Sequence, residues 1–212
     1  MLSSIWNFWV EVLDRLETSI FPSPARMIPP ASIQLQSVAE AFGKQGWHCE
    51  PVEGREVLEA HFEAHHTHIR LYAQVFPQLS ALSIVAESPL APGEAHLTSA
   101  LELLMRANKQ LTLGGFEFDF DRDQLVFRIT NLFDRERFDA DIVSSMVHCS
   151  IAELDRLVPL LGSLLKTPVD LLDDLSLPLL LEREDLLPPL PQGDGGDGEE
   201  LYGGDGGEEE EI

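Results

Sequence analysis

Residues 57–76 read VLEAHFEAHHTHIRLYAQVF and contain two runs in which apolar and polar side chains alternate. The first run covers residues 57–65, and the second covers residues 69–76, after a polar turn at His66 and Thr67. Successive side chains of a β-strand point to opposite faces of a sheet. The stretch therefore predicts two half-buried antiparallel strands, with one face of the sheet buried and the other facing solvent.

The sequence on either side of this pair supplies further strands and three helices. In chain order we predict a helix capped by Ser32, strands at 47–52, 57–65, 69–76 and 81–86, a helix at 94–109, a hairpin of strands 116–120 and 125–129, and a helix at 138–166 with a kink or break at Pro159. The helical stripes place Ile33, Met105 and Ile142 among the buried positions. This order predicts an α+β fold, a mostly antiparallel sheet with helices packed on one face.

Composition changes at both ends of this block. The predicted organisation is an amphipathic helix and Pro-rich linker at 1–30, the α+β domain at 31–166, a Leu/Asp/Pro docking segment at 167–192, and a Gly/Asp/Glu tail at 193–212. The tail contains too few apolar residues to offset the entropy cost of ordering, so we expect it to be disordered.

The helix predicted at residues 2–21 carries large aromatic side chains, namely Trp6, Phe8 and Trp9. Such rings suit contact with a protein partner or with a lipid interface. The acidic polar face of the helix disfavours anionic lipid, so membrane association is the weaker of these two interpretations. Packing on the protein's own sheet or on a second copy is equally open.

Leucines set among acids and prolines in residues 169–190 are typical of short segments that order on a partner. The candidate contact residues are Leu171, Leu172, Leu175, Leu179, Leu180, Leu186 and Leu187. The alternative is that these leucines pack on the surface of their own domain.

The chain is strongly acidic, with 37 acidic and 14 basic side chains and a net charge of -23. Residues 167–212 hold 15 of the acids and one base. This balance excludes nucleic-acid binding through a basic face and charge-driven binding to anionic membranes. The acidic tail instead favours a protein partner with a basic surface.

Four histidines, at positions 61, 65, 66 and 68, raise the question of a metal site. His61, His65 and His68 are weak candidates as ligands, because their spacing matches no established zinc pattern. We expect a solvated sheet face and turn, and keep two alternative functions. One is a metal- or ligand-responsive regulator that uses residues 61–68, and the other is a membrane-associated assembly factor that uses the helix predicted at 2–21. Asp119, Asp121 and Asp123 lack the Gly and Glu of a calcium loop and predict a hairpin turn.

No phosphate loop, nucleophile elbow or catalytic triad is visible, so we expect no enzyme and no cofactor. Cys49 and Cys149 are far apart in sequence and predict two reduced thiols. Because no leader peptide or long apolar run is recognisable either, we expect a cytoplasmic protein.

Residues 100–119, ALELLMRANKQLTLGGFEFD, and residues 124–131, QLVFRITN, resemble the YbjN family. The resemblance covers about residues 32–166 and is greatest to the cyanobacterial members. It implies a fold shared with the chaperones of type III secretion, a cytosolic location, frequent dimerisation and a protein partner. We therefore expect a non-enzymatic, chaperone-like adaptor or regulatory protein, in which Asn108 caps or satisfies backbone groups.

Overall fold

The computed structural model describes residues 31–134 and 137–183. Their elements are α1 (Ile33–Lys44), β1 (Cys49–Pro51), β2 (Val57–Glu63), β3 (His68–Phe76), β4 (Ala81–Glu87), α2 (Glu94–Asn108), β5 (Gly115–Asp119), β6 (Gln124–Leu132), α3 (Ala140–Lys166) and α4 (Leu177–Leu181), with 3-10 turns at Pro77–Leu79 and Val169–Asp174. The helix predicted at 2–21 with Trp6, Phe8 and Trp9, the leucines at 186 and 187, and the tail at 193–212 lie outside the described residues.

The six strands form one antiparallel sheet in the order β1-β2-β3-β4-β6-β5. Buried side chains line up across four strands, as in the row formed by Leu58, Ala73, Ile84 and Ile129. These rows and the helices α1, α2 and α3 belong to a single hydrophobic core. The prediction of an α+β fold with helices on one face of an antiparallel sheet is confirmed.

Helix α3 is the central element of the helical layer, because it contacts β4, β6, α1 and α2. Its first turn is capped by Asp139, whose side chain accepts hydrogen bonds from the N–H groups of Asp141 and Ile142. The prediction at Pro159 was a kink or a break, and the break does not occur because the helix continues through this residue. Tertiary packing along the whole length of the helix outweighs the single hydrogen bond that a proline removes.

Three residues predicted to be buried are exposed instead, namely Ile33, Met105 and Ile142. On α2 the buried positions are Ala100, Leu103, Leu104 and Ala107. These four residues follow one another at steps of three, one and three and form a single stripe, and Met105 lies outside it. Ile33 and Ile142 lie in the first turns of their helices, where fewer neighbours cover them.

The described residues that follow α3 still pack on the domain. Leu177, Leu180 and Leu181 of α4 are buried in the main core. Both α4 and the 3-10 turn Val169–Asp174 contact α2. The beginning of the predicted docking segment therefore packs on its own domain.

Candidate partner-binding surface

The sheet face opposite the helices, here called the outer face, is covered by no helix among the described residues. Its strand residues are Glu50, Val57, Glu59, His61, Glu63, His68, Arg70, Tyr72, Gln74, Phe76, Ala81, Ser83, Val85, Glu87, Gly115, Glu117, Asp119, Gln124, Val126, Arg128, Thr130 and Leu132. None of these residues belongs to the hydrophobic core, not even Ala81 and Val126, which are buried. The outer face is therefore a surface separate from the core, built by the alternate residues of the same strands.

The middle of the outer face carries ion pairs between neighbouring strands. Arg70 lies opposite Glu87, and its guanidinium Nη1 and Nε lie 3.9 Å from Glu87 Oε2 and 3.5 Å from Glu59 Oε1. Arg128 Nε lies 2.9 Å from Glu117 Oε2. Solvent-exposed pairs of this kind contribute little to stability. They determine how charge is distributed over the surface, which affects the choice of partner more than it affects the stability of the fold.

Tyr72 stands among these charges on β3. Its partial burial, together with the carboxylates of Glu87 and Glu59, raises the pKa of Tyr72 above its ordinary value. The phenol therefore remains a neutral hydroxyl over the physiological pH range. It is a polar group that can donate or accept a hydrogen bond at the centre of the face.

One end of the outer face is apolar. Phe76 of β3 lies opposite Ala81 of β4, which lies opposite Leu132 of β6. Leu132 is 70% exposed, and Leu79 in the adjoining 3-10 turn is 61% exposed. Leu132 also lines an open cleft of about 770 Å³ with a mixed lining. The other lining residues are the apolar Phe133, Phe138 and Ile142 and the charged Asp134, Arg137 and Asp139. We call the four residues Phe76, Leu79, Ala81 and Leu132 the apolar end.

The apolar end was not anticipated from the sequence, although a signal exists. Phe76 and Leu132 are apolar residues at strand positions whose neighbours two residues away, Gln74 and Thr130, are polar. An apolar residue on the solvent side of an alternating strand marks an exposed apolar site.

The histidines are spread over a strand, a turn and a second strand. His61 lies on β2 with its Nε2 3.2 Å from Glu59 Oε1, His68 begins β3, and the rings of His65 and His66 contact each other in the turn between them. Within residues 31–134 and 137–183, no three His, Cys, Asp or Glu side chains are grouped so that they could hold a metal ion. The structure therefore does not bring His61, His65 and His68 together as one set of ligands.

The turn that carries His65 and His66 is attached to the helical layer. The backbone N–H of His66 donates a 2.7 Å hydrogen bond to Oδ1 of Asp155, a buried residue of α3. The β5–β6 turn is likewise held by a carboxylate, because Oδ1 of Asp119 accepts hydrogen bonds from the N–H groups of Asp121 and Arg122. This is a hairpin turn, as predicted.

The structure separates the candidate leucines that it describes into exposed and buried residues. Leu179 is 64% exposed and Leu171 is also exposed, whereas Leu172 and Leu175 are half-buried. Leu180 is 6% exposed and contributes to the core. Leu171 and Leu179 are thus accessible to a partner, and Leu180 stabilises the domain itself.

Asn108, the last residue of α2, holds the backbone of β5. Its side-chain Nδ2 donates to the carbonyl of Phe116 at 3.0 Å, and its Oδ1 accepts from the N–H of Phe116 at 2.7 Å. The side chain therefore satisfies backbone groups, as expected from the sequence.

Comparisons with known proteins find a similarity in structure. No protein-family model matches the chain, and no curated protein matches its sequence. Among solved structures, the chain is similar to that of YbjN from E. coli, described as a candidate transcription regulator, with a TM-score of 0.47, 10% sequence identity, and coverage of 62% of this chain and 90% of that chain. Among the described helices, none has the length and apolar character needed to span a bilayer.

Proposed function

We propose that this protein is a non-enzymatic, chaperone-like adaptor that binds a protein client through the apolar end of its outer face. The observation that carries this proposal is the cross-strand row Phe76, Ala81 and Leu132, which ends in an exposed leucine and has the exposed Leu79 in the adjoining 3-10 turn. Single exposed leucines are common on protein surfaces. A group of them on a face without a covering element marks an interaction site.

The layout of the outer face supports protein binding over binding of a small molecule. Its apolar end is bordered by polar residues such as Gln74 and Thr130, and further along by the ion pairs of Arg70 and Arg128. Protein interfaces combine an apolar centre with a polar rim in the same way. The client contacts the leucines, and the charged residues select its orientation.

We propose that segments outside the sheet also contribute to client binding. Leu171 and Leu179 offer exposed apolar contacts, and the acidic residues 193–212 attract a client with a basic surface. Residues 2–21, with their tryptophans, add further apolar contact. The proposed protein acts in the cytoplasm, where the thiols of Cys49 and Cys149 stay reduced, and is able to form a homodimer.

The test compares two variants of the full chain in affinity capture from native lysate. Leu79→Ser with Leu132→Ser removes the apolar end, and Met105→Ser on α2 is the control because Met105 is as exposed as Leu79, 61% in each case. We expect one dominant protein partner with the wild type and the control. The double variant should retain at most about a tenth of it, which corresponds to about 1.4 kcal/mol.

Thermal unfolding of the three proteins establishes that they are folded at the capture temperature. Equal capture by the wild type and the double variant would contradict the proposed site, and the absence of any protein partner would contradict the adaptor function. Deleting residues 193–212 tests the tail separately. The deletion should weaken capture most at low salt, where the charges of the tail act over the longest distance. At high salt these charges are screened, so the deletion should have a smaller effect.

A further inference from the structure

Among residues 31–134 and 137–183, the sheet has two edge strands, β1 and β5. An edge strand presents unpaired backbone N–H and C=O groups, to which a strand of another molecule can bind. β1 is only three residues long and includes Pro51. The N–H of Val52 donates to the carbonyl of Val57 at 2.9 Å, so Pro51, one residue before, faces outward. The outward side of β1 is therefore short and lacks an N–H at Pro51, which disfavours pairing.

β5 is a better template for strand pairing. It contains Phe116 and Phe118, and Phe120 follows directly. Aromatic side chains favour extended backbone. Both backbone groups of Phe116 bind the side chain of Asn108, so they point away from β6. Phe118, two residues further along the same strand, presents its N–H and C=O in the same direction.

The carboxamide of Asn108 forms hydrogen bonds with both backbone groups of Phe116, as the backbone of a neighbouring strand would. A carboxamide combines one donor group and one acceptor oxygen, as a peptide group does. The carboxamide lies beside Gly115, where an added Cβ would make ordinary van der Waals contact with it, 3.5 Å from Oδ1 of Asn108. An aspartate could accept from Phe116 but not donate to it, and an aliphatic residue could do neither.

We propose that Asn108 closes the β5 edge to strand pairing by a second copy of this chain. Pairing of two β5 strands needs the outward groups of Phe116 and Phe118 in succession, and Asn108 already holds the first of them. The intramolecular bonds form without the entropy cost of association, so they outcompete a second molecule. This inference concerns the sheet edge and is independent of the function proposed for the outer face.

Amide hydrogen exchange of the wild type, followed by NMR, gives the first test. The N–H of Phe116 should exchange slowly because Asn108 accepts its proton, and the N–H of Phe118 should exchange at least about tenfold faster. Equal protection of the two amides would overturn the proposal, because the edge would then be closed by something other than Asn108.

Sedimentation velocity of full-chain variants gives the second test. Asn108→Ala should self-associate with a Kd at least about tenfold below that of the wild type. Adding Phe118→Pro should restore the wild-type state, because proline removes an outward N–H that makes no bond within the sheet. Ser37→Ala is the control for lost stability, since it removes a 3.0 Å hydrogen bond from the Phe138 N–H far from β5.

The proposal is overturned if Asn108→Ala keeps the wild-type association state, or if Ser37→Ala associates equally strongly. Should Asn108→Ala fail to fold, Asn108→Asp replaces it, because aspartate keeps the acceptor for Phe116 N–H and loses only the donor. Asn108→Asp should associate more strongly than the wild type, and a wild-type Kd for this variant would also overturn the proposal.

Discussion

Gly114, which precedes β5, should tolerate no side chain. Its φ is +70°, and a Cβ built on it would lie 2.6 Å from Cζ of Phe127 and 2.7 Å from the carbonyl oxygen of Arg128. Phe127 is fully buried, so its ring has little room to move. Gly54 has almost the same φ, +72°, with nothing within 4 Å of its Cβ position. The two glycines share the backbone conformation and differ in the space around them.

The difference between them sets the expected magnitudes. An alanine in the left-handed region costs about 1–2 kcal/mol, and this is the whole cost expected for Gly54→Ala. Gly114→Ala carries the same cost together with about 1–3 kcal/mol for overpacking against Phe127 and the backbone. The free energy of unfolding should therefore fall by about 2–5 kcal/mol, which is a large part of the total for a domain.

Urea unfolding followed by far-UV circular dichroism measures both variants against the wild type. The midpoint should fall for both and further for Gly114→Ala, with an unchanged slope of free energy against urea. Equal losses, within about 0.5 kcal/mol, would refute the argument from close approach. No loss in either variant would also refute the cost assigned to the left-handed backbone.

Three further predictions concern other parts of the domain. Gly43→Ala, in α1 with free space at its Cβ position, should raise the free energy of unfolding by about 0.5 kcal/mol; a fall in urea midpoint would contradict this. Burial raises the pKa of the thiols of Cys49 and Cys149. Iodoacetamide should therefore alkylate both thiols of the folded protein more slowly than free cysteine at mildly alkaline pH. A rate for the folded protein equal to that of free cysteine, measured before the protein is unfolded in urea, would contradict the burial. Asp155→Ala should speed amide exchange of His66 by about tenfold, the equivalent of about 1.4 kcal/mol, because the acceptor of its N–H is lost. Asp155→Asn keeps an acceptor oxygen and should not speed this exchange. Equal exchange rates of the His66 amide in the two variants would refute the role of Asp155.

The parts of the fold that depend on local pattern could be predicted from the sequence. Alternation located the β2–β3 pair and the β5–β6 hairpin, because the period of a strand is visible over a few residues. The cap of α1 at Ser32 was also predictable, and Ser32 Oγ accepts a hydrogen bond from the N–H of Leu35 at 3.0 Å. Such features need only residues that are neighbours in the chain.

Features that depend on distant residues could not be predicted in this way. The position of β6 between β4 and β5 follows from pairing across the whole helix α2, for which the sequence carries no local signal. The rotation of α2 that exposes Met105 depends on what packs against Ala100 and Ala107.

The candidate contact residues show the same division. Leu179 and Leu180 are identical in type and adjacent in sequence, yet the first is exposed and the second is buried. Composition identified the segment as one able to pack, but only the position of α4 against α2 decides which leucine faces inward.

The strand order has a consequence for how the chain folds. The β1–β4 meander and the β5–β6 hairpin are each built from pairings between successive strands, whereas β4 and β6 join residues 81–87 to residues 126–132. Closing the longer loop costs more chain entropy, so we expect this junction to form last. Helix α3, which follows β6 in the chain and contacts both β4 and β6, packs across the junction. The two halves of the sheet therefore join late in folding, and α3, which is synthesised after both halves, holds them together.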